Sequence, residues 1–196
     1  MRSLKRMMKP LLSLGMLACC LQVMAAPPGP SVKHGQAVTE ADLKAWNIDI
    51  NSRTGAGLPP GGGTALAGKP IFEAQCAACH GVEAKGGAMF GSMVGGIGSF
   101  TTDTRIMTPG SMFPYAPILY DYINRAMPMD RPQSLKPDEI YALSAYILHL
   151  NGLIGQDVEM NQKTLTQVKM PNRDNFIVDS RPDTKAKRCM ENCSTN

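Results

Sequence analysis

Cys76-Ala77-Ala78-Cys79-His80 is the stretch on which the reading of this chain turns. Two thiols spaced C-x-x-C and followed at once by histidine form a c-type haem attachment signature. On a helical turn Cys76 and Cys79 share a face, so each can form a thioether with a haem vinyl group. His80 then presents its imidazole to the iron as the proximal ligand. A thioredoxin-like redox pair wants a βαβ context, and a zinc ribbon wants a second C-x-x-C; the sequence offers neither. The stretch implies one covalently bound haem c.

On its N-terminal side, residues 64–79 read as a helix that carries Ile71, Phe72 and Cys76 toward the haem. Pro70 is awkward in a helix interior, so a start near Lys69 with Pro70 in the first turn is the alternative. Residues 55–63 hold five glycines and two prolines and read as a loop. Gly55-Ala56-Gly57 is not a phosphate-binding loop, because Pro60 stands where G-x-G-x-x-G needs its third glycine and no strand precedes it. Further upstream, Thr39 is a good N-cap with Asp42 in a capping-box-like position. Leu43 and Trp46 share a face of that short helix, and Trp46-Asn47-Ile48 is expected to pack on the haem domain. His34 lies in a Pro/Gly-containing lead-in and reads as solvated.

The first residues are an export signal. Arg2, Lys5, Arg6 and Lys9 make a basic region, residues 11–23 an apolar run, and Val23, Ala25 and Ala26 a cleavage site. The run is short for a membrane span; retention as an uncleaved anchor is the alternative. Cys19 and Cys20 are lost with it. The whole chain carries 20 Lys+Arg against 16 Asp+Glu, and all four excess bases lie in the signal. About 171 formally neutral residues remain, so no nucleic-acid partner follows from charge. An exported chain is expected in the periplasm, with no stable membrane span after cleavage. Its spare thiols, Cys189 and Cys193, stand i,i+4 and are expected to form a disulfide in that oxidising compartment; a bridge to another chain is the alternative.

On the C-terminal side, residues 81–98 form a glycine-rich loop able to lie close against a flat macrocycle. Pro117 starts a second helix with Ile118, Leu119, Tyr122 and Ile123, which ends before Met127-Pro128. Pro137 starts a third, with Asp138 and Glu139 in its first turn, a stripe of Ile140, Leu143, Ile147 and Leu150, and a stop at Asn151-Gly152. His149 falls away from that stripe and is expected to face solvent. Asn161 is placed to cap a short helix carrying Leu165 and Val168. The pattern is all-α, with no strand signal.

An electron-transfer haem wants a sixth ligand, and nine methionines follow the signal. Met127 leads, because the loop between the second and third helices can reach the haem face opposite His80. Met129, Met107 and Met170 are the alternatives.

The Cys76–His80 signature, Arg125-Ala126-Met127-Pro128 and the helix after it resemble a class I-type bacterial cytochrome c. Gly57-Leu58-Pro59-Pro60-Gly61, Phe113-Pro114-Tyr115-Ala116, Asp121-Tyr122-Ile123, Pro132-Gln133-Ser134-Leu135, Leu150-Asn151-Gly152, Met170-Pro171-Asn172-Arg173 and Arg188-Cys189-Met190 narrow the likeness. They resemble the cytochrome c subunits of sulfane dehydrogenases, molybdenum–haem complexes of bacterial thiosulfate oxidation, and of related sulfite dehydrogenases. Two departures stand out: a single C-x-x-C-H where some members have two, and Met112-Phe113 in place of an aromatic pair. The resemblance implies an all-α, class I-type cytochrome c domain at 64–152, a signal at 1–25, and extensions at 26–63 and 153–196. It also implies a periplasmic electron carrier docked to a molybdopterin-containing dehydrogenase subunit, passing electrons to a soluble cytochrome c and doing no bond chemistry alone. A free shuttle needs only the haem domain, and a peroxidase or thiosulfate dehydrogenase needs an open or unusual sixth position.

Overall fold

The computed structural model describes residue 35 and residues 37–180. The chain divides between Leu43 and Lys44 into two units. The boundary falls within α1 (Glu40–Trp46), whose residues up to Leu43 end the first unit. Its start is capped as expected: Thr39 Oγ1 accepts from the Asp42 amide (3.2 Å), and Asp42 Oδ2 accepts from the Thr39 amide (3.0 Å).

The second unit is built on two long helices. The first, α2 (Ala65–Gln75), starts at Thr64, whose hydroxyl accepts from the Ala67 amide (3.3 Å). Ala65, Gly68 and Phe72 form its buried face at i, i+3, i+7 spacing. Pro70 lies inside the helix, not in its first turn. It sits on the exposed side, where water can take the carbonyl its missing amide leaves unpaired. After Cys76 the chain re-enters helix as α3 (Ala77–His80).

The other long helix is α6 (Pro137–Leu150), in which every residue from Ile140 to Leu148 is buried. Glu139 accepts from the Lys136 amide at its N-terminus (2.8 Å). Between these lie α4 (Pro109–Met112) and α5 (Pro117–Ala126). Proline at N1 sets the start of α5, and Leu119, Tyr120 and Ile123 turn inward. Phe72 packs on Tyr146 (ring centroids 5.4 Å) and Tyr120 on Tyr141 (4.5 Å), joining α2 and α5 to α6.

Three elements go beyond the sequence reading. A two-residue antiparallel ladder pairs β1 (Gly62–Gly63) with β2 (Met160–Asn161), lying on α6 where a Cβ at Gly63 would stand 2.5 Å from the Ala142 nitrogen. A capping box opens α4: Thr108 Oγ1 accepts from the Ser111 amide (3.1 Å) and Ser111 Oγ from the Thr108 amide (2.9 Å). Asn172, 2 % exposed, donates to the Met112 carbonyl (2.9 Å) and moors the chain after the domain to α4. Asn161 does serve the short helix α7 (Thr164–Gln167), accepting from the amides of Lys163 and Thr164 (3.0 Å each).

Two expectations fail. Trp46 is 84 % exposed and only borders an open cavity with Ile48, Arg125 and Gln133, so its ring does not pack into the haem domain. His149 is half-buried, its Nδ1–H donating to the Ile154 carbonyl (3.1 Å), because the chain after α6 folds back over it. Among the described residues no helix is long and apolar enough to cross a membrane. Cys19, Cys20, His34, Cys189, Cys193 and the signal lie outside the described residues.

Candidate haem site

The two cysteines and the histidine are placed by one tightened turn. Cys76 closes α2 by donating its amide to the Phe72 carbonyl (2.8 Å), then leaves the helical region (φ −122°, ψ −35°). Its carbonyl accepts from the amides of Cys79 (3.1 Å) and His80 (3.0 Å), which starts the next turn and brings all three side chains to one side. Gly81 turns the chain away at φ +76°, and a Cβ there would meet the Gly86 carbonyl. The Gly86 amide in return donates to the His80 carbonyl (2.9 Å), so the glycine-rich loop folds back on the signature.

Cys76 and Cys79 are each half-buried. Burial pushes the Cys76 thiol up to about 11, partly offset by the positive charge of Arg131. Cys79 Sγ lies 3.6 Å from Met89 Sδ. Burial holds the His80 imidazole below its usual range, so it is neutral near pH 7 and has a lone pair to give. Its ring stacks on Phe90 (5.2 Å, 23°).

Met127 is presented by the loop that follows α5. Its amide closes α5 on the Ile123 carbonyl (3.0 Å); the residue is then extended (φ −121°, ψ 147°) and enters a cis peptide with Pro128. Two open cavities of about 330 and 360 Å³ flank this arrangement. The first is lined mainly by apolar groups, among them Met93, Phe113, Leu119, Ile123 and Ile147. The second is lined by Cys76, Cys79 and residues 127–131. His80, Phe90 and Met127 line both.

The other methionines separate clearly. Met129, 58 % exposed, lines only the cysteine-side cavity, and Met107, 63 % exposed, only the apolar one. Met170, 1 % exposed, is part of the core and lines neither. His149 also lines neither.

The donor set fits a haem. His80 Nδ1 is buried and has no hydrogen-bond partner among the described residues, an orphaned polar atom beside a cavity. Among the described residues no three His, Cys, Asp or Glu side chains converge as a metal site. The His80 imidazole, two thiols and Met127, the one methionine among the described residues that lines both cavities, set among apolar walls, suit a metal whose other ligands come from a flat macrocycle. One residue that the sequence reading treated only as a helix stop shapes the wall. Asn151, 8 % exposed, accepts from the Gly95 amide (3.1 Å) and donates to the carbonyls of Met93 (3.0 Å) and Ile147 (2.9 Å). It pins the glycine-rich loop to α6; only its pairing with Gly152 hinted at it in the sequence.

A family model described as cytochrome c matches residues 65–151. Among solved structures, a chain of the crystal structure of the sulfane dehydrogenase SoxCD from Paracoccus pantotrophus is similar. Identity is 34 % over 84 % of this chain and 83 % of that one, with a TM-score of 0.69. Comparison with curated proteins finds no match.

Proposed function

Because the chain belongs to the cytochrome c family, whose members hold haem c covalently, we propose that it is the electron-transfer subunit of a periplasmic sulfur-compound dehydrogenase. It would carry a single haem, tethered through Cys76 and Cys79 and held axially by His80 and Met127. The observation that carries this reading is that His80 and Met127 line the same two cavities, with both cysteines on one of them.

Haem c supplies a one-electron Fe(III)/Fe(II) couple when bound. The chain's residues fix how that couple is used. Cys76 and Cys79 would hold the haem covalently and so fix its orientation. His80, kept neutral by burial, would give a ring-nitrogen lone pair to the metal. Met127 offers a soft thioether, which favours the reduced state over a second imidazole. Leu119, Ile123 and Ile147 keep water from one wall, so little solvent reorganises when charge changes.

The partner reading rests on the likeness to a sulfane dehydrogenase chain over 84 % of this chain, well beyond residues 65–151. A docked subunit has use for such extensions; a free shuttle has none. The partner would be a molybdopterin-containing subunit that oxidises the sulfur substrate, and a soluble cytochrome c would take the electrons onward. Purification of the tagged chain from its own host tests this. The reading expects a second polypeptide and molybdenum by elemental analysis, with haem reduction on adding a reduced sulfur compound. A molybdenum-free, monomeric cytochrome would overturn it.

A further inference from the structure

Among the described residues, Arg131 is the only lysine or arginine lining either cavity of the haem site, and Asp130 the only carboxylate. The position of Arg131 is set three ways. Its amide donates to the Pro128 carbonyl (2.9 Å), closing a turn directly after Met127. Its Nη2 donates to Gln75 Oε1 (3.0 Å), and Gln75 is the last residue of α2, adjacent to Cys76. Its Nη1 reaches Asp130 Oδ2 at 3.4 Å, a long contact to a carboxylate 74 % exposed, which neutralises it weakly. The guanidinium therefore bridges the loop that presents Met127 and the helix that presents Cys76. Its charge is felt at the Cys76 sulfur.

Resting on the reading that a haem lies between His80 and Met127, we propose that Arg131 is a positioning residue that raises the reduction potential of that haem. A cation held at the rim of the cysteine cavity disfavours the more positive, oxidised state of whatever redox centre the cavity holds. Vinyl and propionate groups lie on opposite edges of the macrocycle. Arg131 shares its cavity with both cysteines, so its charge would act from the side of the thioether attachment. The apolar cavity offers no cation to compete with it. Because the guanidinium is about half exposed, water and salt screen it, and the effect is moderate.

The test is the midpoint potential of the purified holoprotein, read by optical titration at low and high salt. Arg131→Gln is expected to lower the reduced-to-oxidised ratio at a fixed poise about threefold, or about 28 mV at 59 mV per tenfold. Arg131→Lys should keep most of the ratio, and Asp130→Asn should raise it. High salt should shrink every difference. The Met-to-iron charge-transfer band should persist in all three variants. An unchanged potential in Arg131→Gln, or an equal loss in the lysine variant, overturns the charge argument. Loss of the band in Arg131→Gln would make the residue a structural clasp and also overturn it. If Arg131→Gln does not assemble, Asp130→Asn decides by the sign of its shift. A wild-type protein that lacks the band contradicts the ligand reading itself, which separates the two failures.

Discussion

Replacing Gly68 by alanine tests the helix contact that sets the cysteine turn in place. In an exposed helix this change gains about 1 kcal/mol, because alanine is the better helix former. Here the added Cβ would lie 2.0 Å from the Ala142 carbonyl oxygen, 2.5 Å from its carbon and 3.0 Å from Tyr146 Cβ. The obstacle is the backbone of α6, which cannot rotate away as a side chain can. Overpacking costs typically 1–3 kcal/mol and occasionally more, and a clash with backbone belongs at the upper end. The net expectation is a loss of about 2 kcal/mol. For a chain of this length that lowers Tm by roughly 4–8 °C, measured by far-ultraviolet circular dichroism on the holoprotein. Haem should stay attached, since neither cysteine is touched. A Tm equal to or above wild type would refute the close approach of α2 and α6.

Two buried phenols give predictions of opposite sign. The Tyr120 hydroxyl has no hydrogen-bond partner among the described residues, so Tyr120→Phe should leave stability unchanged or raise it by about 1 kcal/mol; Tyr141 donates to the Pro59 carbonyl (2.9 Å), so Tyr141→Phe should cost about 1 kcal/mol in denaturant titrations. Burial pushes Tyr141 up to about 12 and Tyr120 higher still. The folded state therefore keeps protons that the unfolded chain releases near pH 10. This contribution is complete below about pH 10 and is lost as pH rises toward 12 and beyond, so stability should fall on that alkaline limb, and less steeply in Tyr120→Phe. Asn151→Ala removes three hydrogen bonds at a buried site and should cost about 2–3 kcal/mol, with faster amide exchange at Gly95.

Much of this architecture could be read locally. Proline at N1 marked the starts of α5 and α6, Thr39 with Asp42 marked α1, and C-x-x-C-H marked the turn at Cys76. Each is a signal that neighbouring residues complete among themselves. What could not be read depends on distant partners. A strand of two glycines has no side-chain alternation to show, and Gly62–Gly63 exists only because Met160–Asn161 returns to it. His149 was placed on a helical wheel that knows only its own helix, whereas Ile154 supplies the carbonyl that covers it. Trp46-Asn47-Ile48 was expected to pack on the haem domain because Trp46 is the chain's only tryptophan, but residue type alone does not supply a facing surface, and the ring is 84 % exposed. Met170 shares its Met-Pro dipeptide with Met127, and only the fold separates a core anchor from a side chain at the cavities.

The central claim is that His80 and Met127 face one haem, and the red-region sulfur-to-iron charge-transfer band tests it most directly. The oxidised wild-type protein should show the band. Met127→Ala should lose it, lower the potential and open a site for carbon monoxide. Met107→Ala, Met129→Ala and Met170→Ala should keep all three properties near wild type. A Met127→Ala protein that retains the band, while one of the others loses it, would contradict the account.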